Sequence, residues 1–191
     1  MVNSINNFFD PIPHYWDDLY INGRILPEWK KLKNNILDNE SFQIYGIKGN
    51  KLIGVTEGPP GTSYENWFFL FEIIISKDYP FSFGKFYFKT KIFHPNIGED
   101  GLVSLDIFKE WTPALTFRTV VLSVQSVLDN PNPDDFLNGK ASKLYIENRY
   151  QYEEKVKDYV MKYSNFLIFE DMLKKYEFKI EHVKIWYLLY Y

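Results

Sequence analysis

Trp67-Phe68-Phe69-Leu70-Phe71-Glu72-Ile73-Ile74-Ile75-Ser76 is the stretch on which the fold turns. It is apolar at almost every position, not at every second one. A strand with one face in water alternates, whereas a strand covered on both faces reads as a continuous apolar run. The run is broken by Glu72 and falls well short of the ~20 residues a membrane span needs. It therefore predicts a central, doubly covered strand.

Working outward, residues 85–91 do alternate. Phe86 and Phe88 lie on one side, Tyr87 and Lys89 on the other, which predicts a half-buried strand. Upstream, residues 42–47 and 52–55 read as two strands joined at Gly49-Asn50, a hairpin turn signal. Four strands in sequence with short connections make an antiparallel meander. Before them, Ile25, Trp29, Leu32, Ile36 and Leu37 recur at helical spacing, which predicts a helix from Asn22, its cap, to about residue 39. Pro27 falls in the first turn, where a missing N–H breaks no bond.

After the meander the period stops. Residues 93–113 form about twenty residues of irregular chain, and a loop that long in a compact domain is usually functional or misassigned. Helical spacing resumes with Val120, Val124, Val127 and Leu128. Residues 129–135 interrupt it with two prolines. One longer helix is expected from Ala141 through Leu144, Tyr145, Tyr152, Val156, Tyr159 and Val160 to Tyr163. The fold class is therefore α+β: an N-terminal helix, a four-stranded antiparallel meander sheet, a long loop and C-terminal helices.

The chain has 191 residues, enough for one domain with a sizeable core. We divide it into an aromatic, proline-punctuated arm at 1–21, a domain at 22–164 and a helical extension at 165–191. That extension is expected either to fold back and complete the core, or to bind a partner or form a dimer interface. A net charge of −3 supplies no basic footprint for nucleic acid. No cysteine is present, which excludes thiolate metal sites, disulfides and a cysteine nucleophile. His14, His94 and His182 are too scattered for a metal motif, and no cofactor motif is present. No targeting segment or membrane span is visible, so an intracellular protein, cytoplasmic or nuclear, is expected.

Gly58-Pro59-Pro60-Gly61-Thr62-Ser63 is no phosphate loop, because two prolines remove donors and no Gly-Lys-Ser/Thr follows. It reads as a rigid turn. His94, Ser104 and Asp106 form no hydrolase signature, since Ser104 lies outside any G-x-S-x-G elbow. A structural His94 is the default.

The tract His94-Pro95-Asn96-Ile97, then Gly101, then Ser104-Leu105-Asp106-Ile107 resembles the active-site tract of ubiquitin-conjugating enzymes, with Ser104 at the position of the nucleophilic cysteine. Four further motifs agree in order: the 58–65 turn, Tyr79-Pro80-Phe81, Trp111-Thr112-Pro113-Ala114-Leu115 and Asn130-Pro131-Asn132-Pro133-Asp134-Asp135. The resemblance covers residues 24–164 and makes 93–113 the active-site loop.

It implies that Ser104 stands at the acyl-acceptor position. It implies that Asn96 supports the oxyanion of transfer or orders the loop beside it, and that Asp135 is an acidic gate for an incoming lysine. It implies that Phe81, Pro113 and Ala114 dock RING-type ligases, and that Arg24 contacts ligases and the activating enzyme. The implied partners are ubiquitin or a ubiquitin-like protein, the activating enzyme and a RING-type ligase. Pro27 stands where the family often has a second basic residue, Phe83-Gly84 replaces Pro-Pro, and Trp67 stands where glycine is common.

The serine divides the functional reading. A thiol of pKa about 8.5 supplies some thiolate at neutral pH, whereas a hydroxyl needs a strong base, and none is apparent around Ser104. One reading is a conjugating enzyme with its central activity impaired. The other is a non-catalytic module that holds ubiquitin, a conjugating enzyme or a ligase.

Overall fold

The doubly covered strand predicted at 67–76 is β3, Phe68–Ile75, and only Ile74 along it is more than marginally accessible. The computed structural model describes residues 23–34 and 41–164, together with 171 and 174. The arm at 1–21, the predicted cap Asn22, the last turn of the predicted first helix and nearly all of the 165–191 extension lie outside the described residues. The first helix, α1, is described as Ile25–Asn34. Pro27 lies within its first turn, where backbone N–H groups have no intrahelical partner.

β1 (Phe42–Lys48), β2 (Lys51–Glu57), β3 and β4 (Gly84–Phe88) form one antiparallel sheet in the order β1-β2-β3-β4. Gly49, at φ 61, makes the two-residue turn that pairs Lys48 with Lys51. The register sets Gly54 opposite Phe71, and Phe71 opposite Phe88. A Cβ at Gly54 would lie 2.5 Å from the Phe71 ring, so the ring's position requires glycine there. One sheet face carries Leu52, Phe69, Phe71, Ile73, Phe86 and Phe88. It shares a core with Phe117, Val120, Val121, Val124 and Leu128 of helix α3, Phe117–Asp129. Phe71 stacks on Phe86 at 4.9 Å between centroids. Ile53, Val55, Phe68 and Leu70, at the alternate positions, are also buried. That is the two-sided burial predicted by the continuous run.

The predicted irregular tract is not wholly irregular. It contains a four-residue helix, α2, Asp106–Lys109. The single long helix expected from 141 to 163 is two helices, α4 (Gly139–Glu147) and α5 (Arg149–Tyr163). Asn148 separates them. Its backbone is extended, at φ −152, and its side chain accepts from the Gln151 N–H to start α5. An asparagine competes for backbone donors in this way and so favours caps over helix interiors. The apolar spacing persists across the break, which is why the sequence alone did not reveal it. Tyr145 and Tyr152 still meet edge to face at 5.1 Å. α5 is pinned to the 58–65 turn by Tyr152, whose hydroxyl lies 3.0 Å from that of Tyr64, and by a Ser63–Glu153 hydrogen bond.

Sequence reasoning did not single out Glu28, the residue that ties α1 to the rest of the domain. Its side chain is buried and accepts from Arg24 Nε, from the Tyr79 hydroxyl at 2.8 Å and from the Phe117 N–H at 3.0 Å. Tyr79 in turn stacks on Phe117 at 4.7 Å. One carboxyl thus joins α1, the loop after β3 and the start of α3. Glu28→Ala leaves the Phe117 N–H and the Tyr79 hydroxyl without acceptors. It should cost about 1–3 kcal/mol, read as a lower midpoint in chemical denaturation with an unchanged slope. Glu28→Gln, which keeps one acceptor, should cost less.

Candidate active site

The loop around Ser104 is fixed by backbone bonds that begin at the sheet. Val103 donates to Phe86 O at 3.0 Å, and Ser104 donates to Asn96 O at 3.0 Å. A tight turn at 98–101 returns the chain, with Gly98 donating to Leu102 O at 2.8 Å and Gly101 donating to Gly98 O at 2.9 Å. Gly101 has φ 88, and a Cβ there would lie 2.0 Å from Phe88 O. Only glycine takes this left-handed position so close to a strand. Ser104 is thereby held beside Asn96, half-buried at the start of α2.

Asn96 is buried and its amide is fully occupied. Nδ2 donates to Asn132 O at 2.7 Å and to Asp135 O at 2.8 Å, while Oδ1 accepts from the Asn132 N–H at 2.9 Å. Both donors are therefore spent on the backbone of the 132–135 loop. The carbonyl of Pro95 adds to this by accepting from the N–H groups of Leu137 and Asn138, each at 2.9 Å.

His94 is fully buried. Its Nδ1 accepts from the Asn96 N–H at 3.1 Å, which leaves the proton on Nε2 to donate to Val127 O at 2.9 Å. Burial pulls its pKa down to about 3. Both ring nitrogens are committed to the backbone, so His94 supplies no base to Ser104.

Asp135 does reach Ser104. The Ser104 hydroxyl donates to Asp135 Oδ2 at 3.3 Å, and the same oxygen accepts from Lys109 Nζ at 2.7 Å. Lys109 lies also 3.4 Å from Asp106 Oδ1. The Lys109 ammonium holds the Asp135 carboxyl below the usual carboxylate range. A carboxylate of lowered pKa is a weak base and cannot generate an alkoxide from a serine hydroxyl. The sequence reading found no base near Ser104. The structure does set a carboxylate there, but one whose basicity Lys109 has reduced. Lys109 was missed because the pattern of the sequence gave it no role. Its lysine type and its place on the first turn after Ser104 are the available signal.

The structure thus brings Ser104, Asn96 and Asp135 together. The other four predicted residues lie on a second surface. Phe81 is 80% exposed, and Pro113 and Ala114 are exposed. Trp111 Nε1 donates to Pro80 O at 2.8 Å, which ties their two loops together. Arg24 reaches the same region, with Nη2 3.2 Å from Leu115 O. Phe83, which replaces a proline of the expected pattern, is buried and stacks on Phe108 at 5.1 Å, with Trp111 at 5.0 Å. An aromatic cluster thus fills that position.

Comparison with known proteins matches residues 24–160 to the family model described as "Ubiquitin-conjugating enzyme". The chain is 36% identical over 146 residues to a protein of Arabidopsis thaliana described as "Probable ubiquitin-conjugating enzyme E2 31", covering 74% of this chain and 92% of that one. Among solved structures, it resembles a protein from Plasmodium yoelii described as a "putative ubiquitin conjugating enzyme", with a TM-score of 0.68 and 34% identity, over 74% of this chain and 94% of the other. It resembles the E2 domain of a Toxoplasma gondii ubiquitin conjugating enzyme with a TM-score of 0.67 and 34% identity, over 74% and 98% of the two chains. No described helix is long and apolar enough to cross a membrane.

Proposed function

The chain belongs to the ubiquitin-conjugating enzyme family, and from that premise we propose that it is a ubiquitin-pathway protein whose Ser104 stands at the acyl-acceptor position and whose transfer activity is impaired. Membership implies ubiquitin, an activating enzyme and a ligase as partners in general. The observation that carries the reading of impairment is the surroundings of the Ser104 hydroxyl. Its near carboxylate is weakened by Lys109, and the His94 imidazole is spent on the backbone. An ester formed there is also a weaker acyl donor than a thioester. In this reading Asn96 acts by holding the 132–135 loop, and Asp135 is the contact for an incoming amine. We assign these roles to a domain at 22–164, with the arm and the extension as flanking segments, working inside the cell.

The chain as it stands provides the test. With activating enzyme, ubiquitin and ATP it should form no thiol-sensitive adduct, and at most a slow one that resists thiol and yields to hydroxide. Rapid transfer of ubiquitin to lysine by this chain would overturn the reading.

The second reading, a binding module, draws support from the exposed Phe81 beside Pro113 and Ala114 on loops tied through Trp111. Phe81→Ala should weaken capture by a RING-type ligase. Folding stability should stay within about ±0.5 kcal/mol, the range of surface substitutions. Unchanged capture would remove Phe81 from the docking surface.

A further inference from the structure

Lys109 sits where the proposed chemistry needs an acceptor amine. Its Nζ and the Ser104 hydroxyl end on the same oxygen, Asp135 Oδ2, so the two groups are neighbours across that atom. The pair is solvent-exposed, but the backbone on each side of it is anchored. Phe108, the preceding residue, stacks on buried Phe83, and Lys109 reaches Asp135 in the 132–135 loop. Asn96 clamps that loop from beneath. Asp106 adds a second carboxylate, its Oδ1 3.4 Å from the ammonium.

A lysine side chain arriving from outside carries the same ammonium head and seeks the same carboxylate. Lys109 itself is a poor reactant, because Asp135 and Asp106 together favour its charged form and only the free amine attacks an acyl carbon, whereas an incoming lysine would meet Asp135 alone. We propose that Lys109 is an internal competitor for the acceptor-amine subsite at Asp135. It is a positioning residue that favours acceptors bringing binding energy of their own over free amines. This rests on the reading of Ser104 as the acyl position and Asp135 as the amine contact.

The test uses the full chain carrying Ser104→Cys, charged with ubiquitin and discharged to free L-lysine in a single turnover. Adding Lys109→Met, which keeps length and removes charge, should raise discharge at low lysine by about two- to fivefold, the scale of one exposed ion pair. The gain should appear as a lower half-saturating lysine concentration, not as a higher rate at saturation. Lys109→Arg keeps the charge and should give less of the gain. Discharge of the Met variant at or below the parent rate would overturn the proposal. So would a ubiquitin adduct mapped to Lys109 itself, since an occupant held as ammonium does not accept.

Failure of Ser104→Cys to charge would instead count against the reading of position 104. The competitor role is then decided on the uncharged chain by carboxyl-detected NMR of Asp135. Lys109→Met should raise the Asp135 pKa and let added L-lysine shift its resonance at concentrations that leave the parent unmoved. An Asp135 titration indifferent to Lys109→Met overturns the proposal.

Discussion

Ser104→Cys is expected to gain a ubiquitin adduct that forms rapidly with activating enzyme and ATP and disappears on addition of thiol. The substitution changes one atom at a position already fixed by backbone bonds from Ser104 to Asn96 and from Val103 to Phe86. Sulfur suits the surroundings better than oxygen does. A thiol of pKa about 8.5 is partly thiolate at neutral pH without assistance, and the thiolate is strongly nucleophilic. The serine hydroxyl needs a base, and its carboxylate neighbour, Asp135, is held in its ionised form by Lys109. The expected difference in charging rate is therefore orders of magnitude, not a few-fold. A variant that folds as the parent does, by denaturation midpoint, yet forms no thiol-sensitive adduct would favour the binding-module reading. A slow adduct on the parent that resists thiol and yields to hydroxide would place an ester on Ser104.

Acid should destabilise the domain through His94. In the folded chain the imidazole is neutral and enclosed, bonded on both nitrogens to backbone, and burial brings its pKa to about 3. In the unfolded chain it titrates near its ordinary value of about 6.5. Between those values the unfolded state binds a proton that the folded state refuses. The contribution of His94 is thus fully present above about pH 6.5 and is lost as the pH falls toward 3. The loss approaches about 1.4 kcal/mol for each unit in that window. Chemical denaturation of the parent and of His94→Gln at pH 6.5 and pH 4.5 isolates the effect, since the carboxyls and the other two histidines are common to both. The parent should lose about 2–3 kcal/mol more than the variant over that interval. Equal losses would mean that His94 is accessible to protons in the folded state.

What the sequence determined by itself was everything written in local period and local motif. The unbroken apolar run through Phe68, Phe69, Leu70 and Phe71 marked a strand covered on both faces, because burial on each side removes the polar positions that would alternate. The alternation of Phe86, Tyr87 and Phe88 marked its half-covered neighbour, and the stripe of Val120, Val124 and Leu128 marked the helix laid across the sheet. The tract from His94 to Ile107 pointed to the family. The same reading named Ser104, Asn96 and Asp135, which the fold brings together.

Only the tertiary structure decided the rest. Glu28 meets Tyr79 and Phe117 across long stretches of chain, and nothing in the spacing around Glu28 announces those partners. Asn148 splits a helix whose apolar stripe runs on unbroken, because a cap is made by one side chain and leaves the period intact. Whether Asn96 offers a free amide or spends it on a loop depends on the carbonyls of Asn132 and Asp135. Whether Asp135 acts as a base depends on Lys109, which is brought to it from α2. The reason is common to Glu28, Asn96 and Asp135. Hydrophobic period records only which side of an element faces the core, whereas the chemistry of a polar group is set by neighbours that the sequence holds far apart and the fold brings within hydrogen-bond reach.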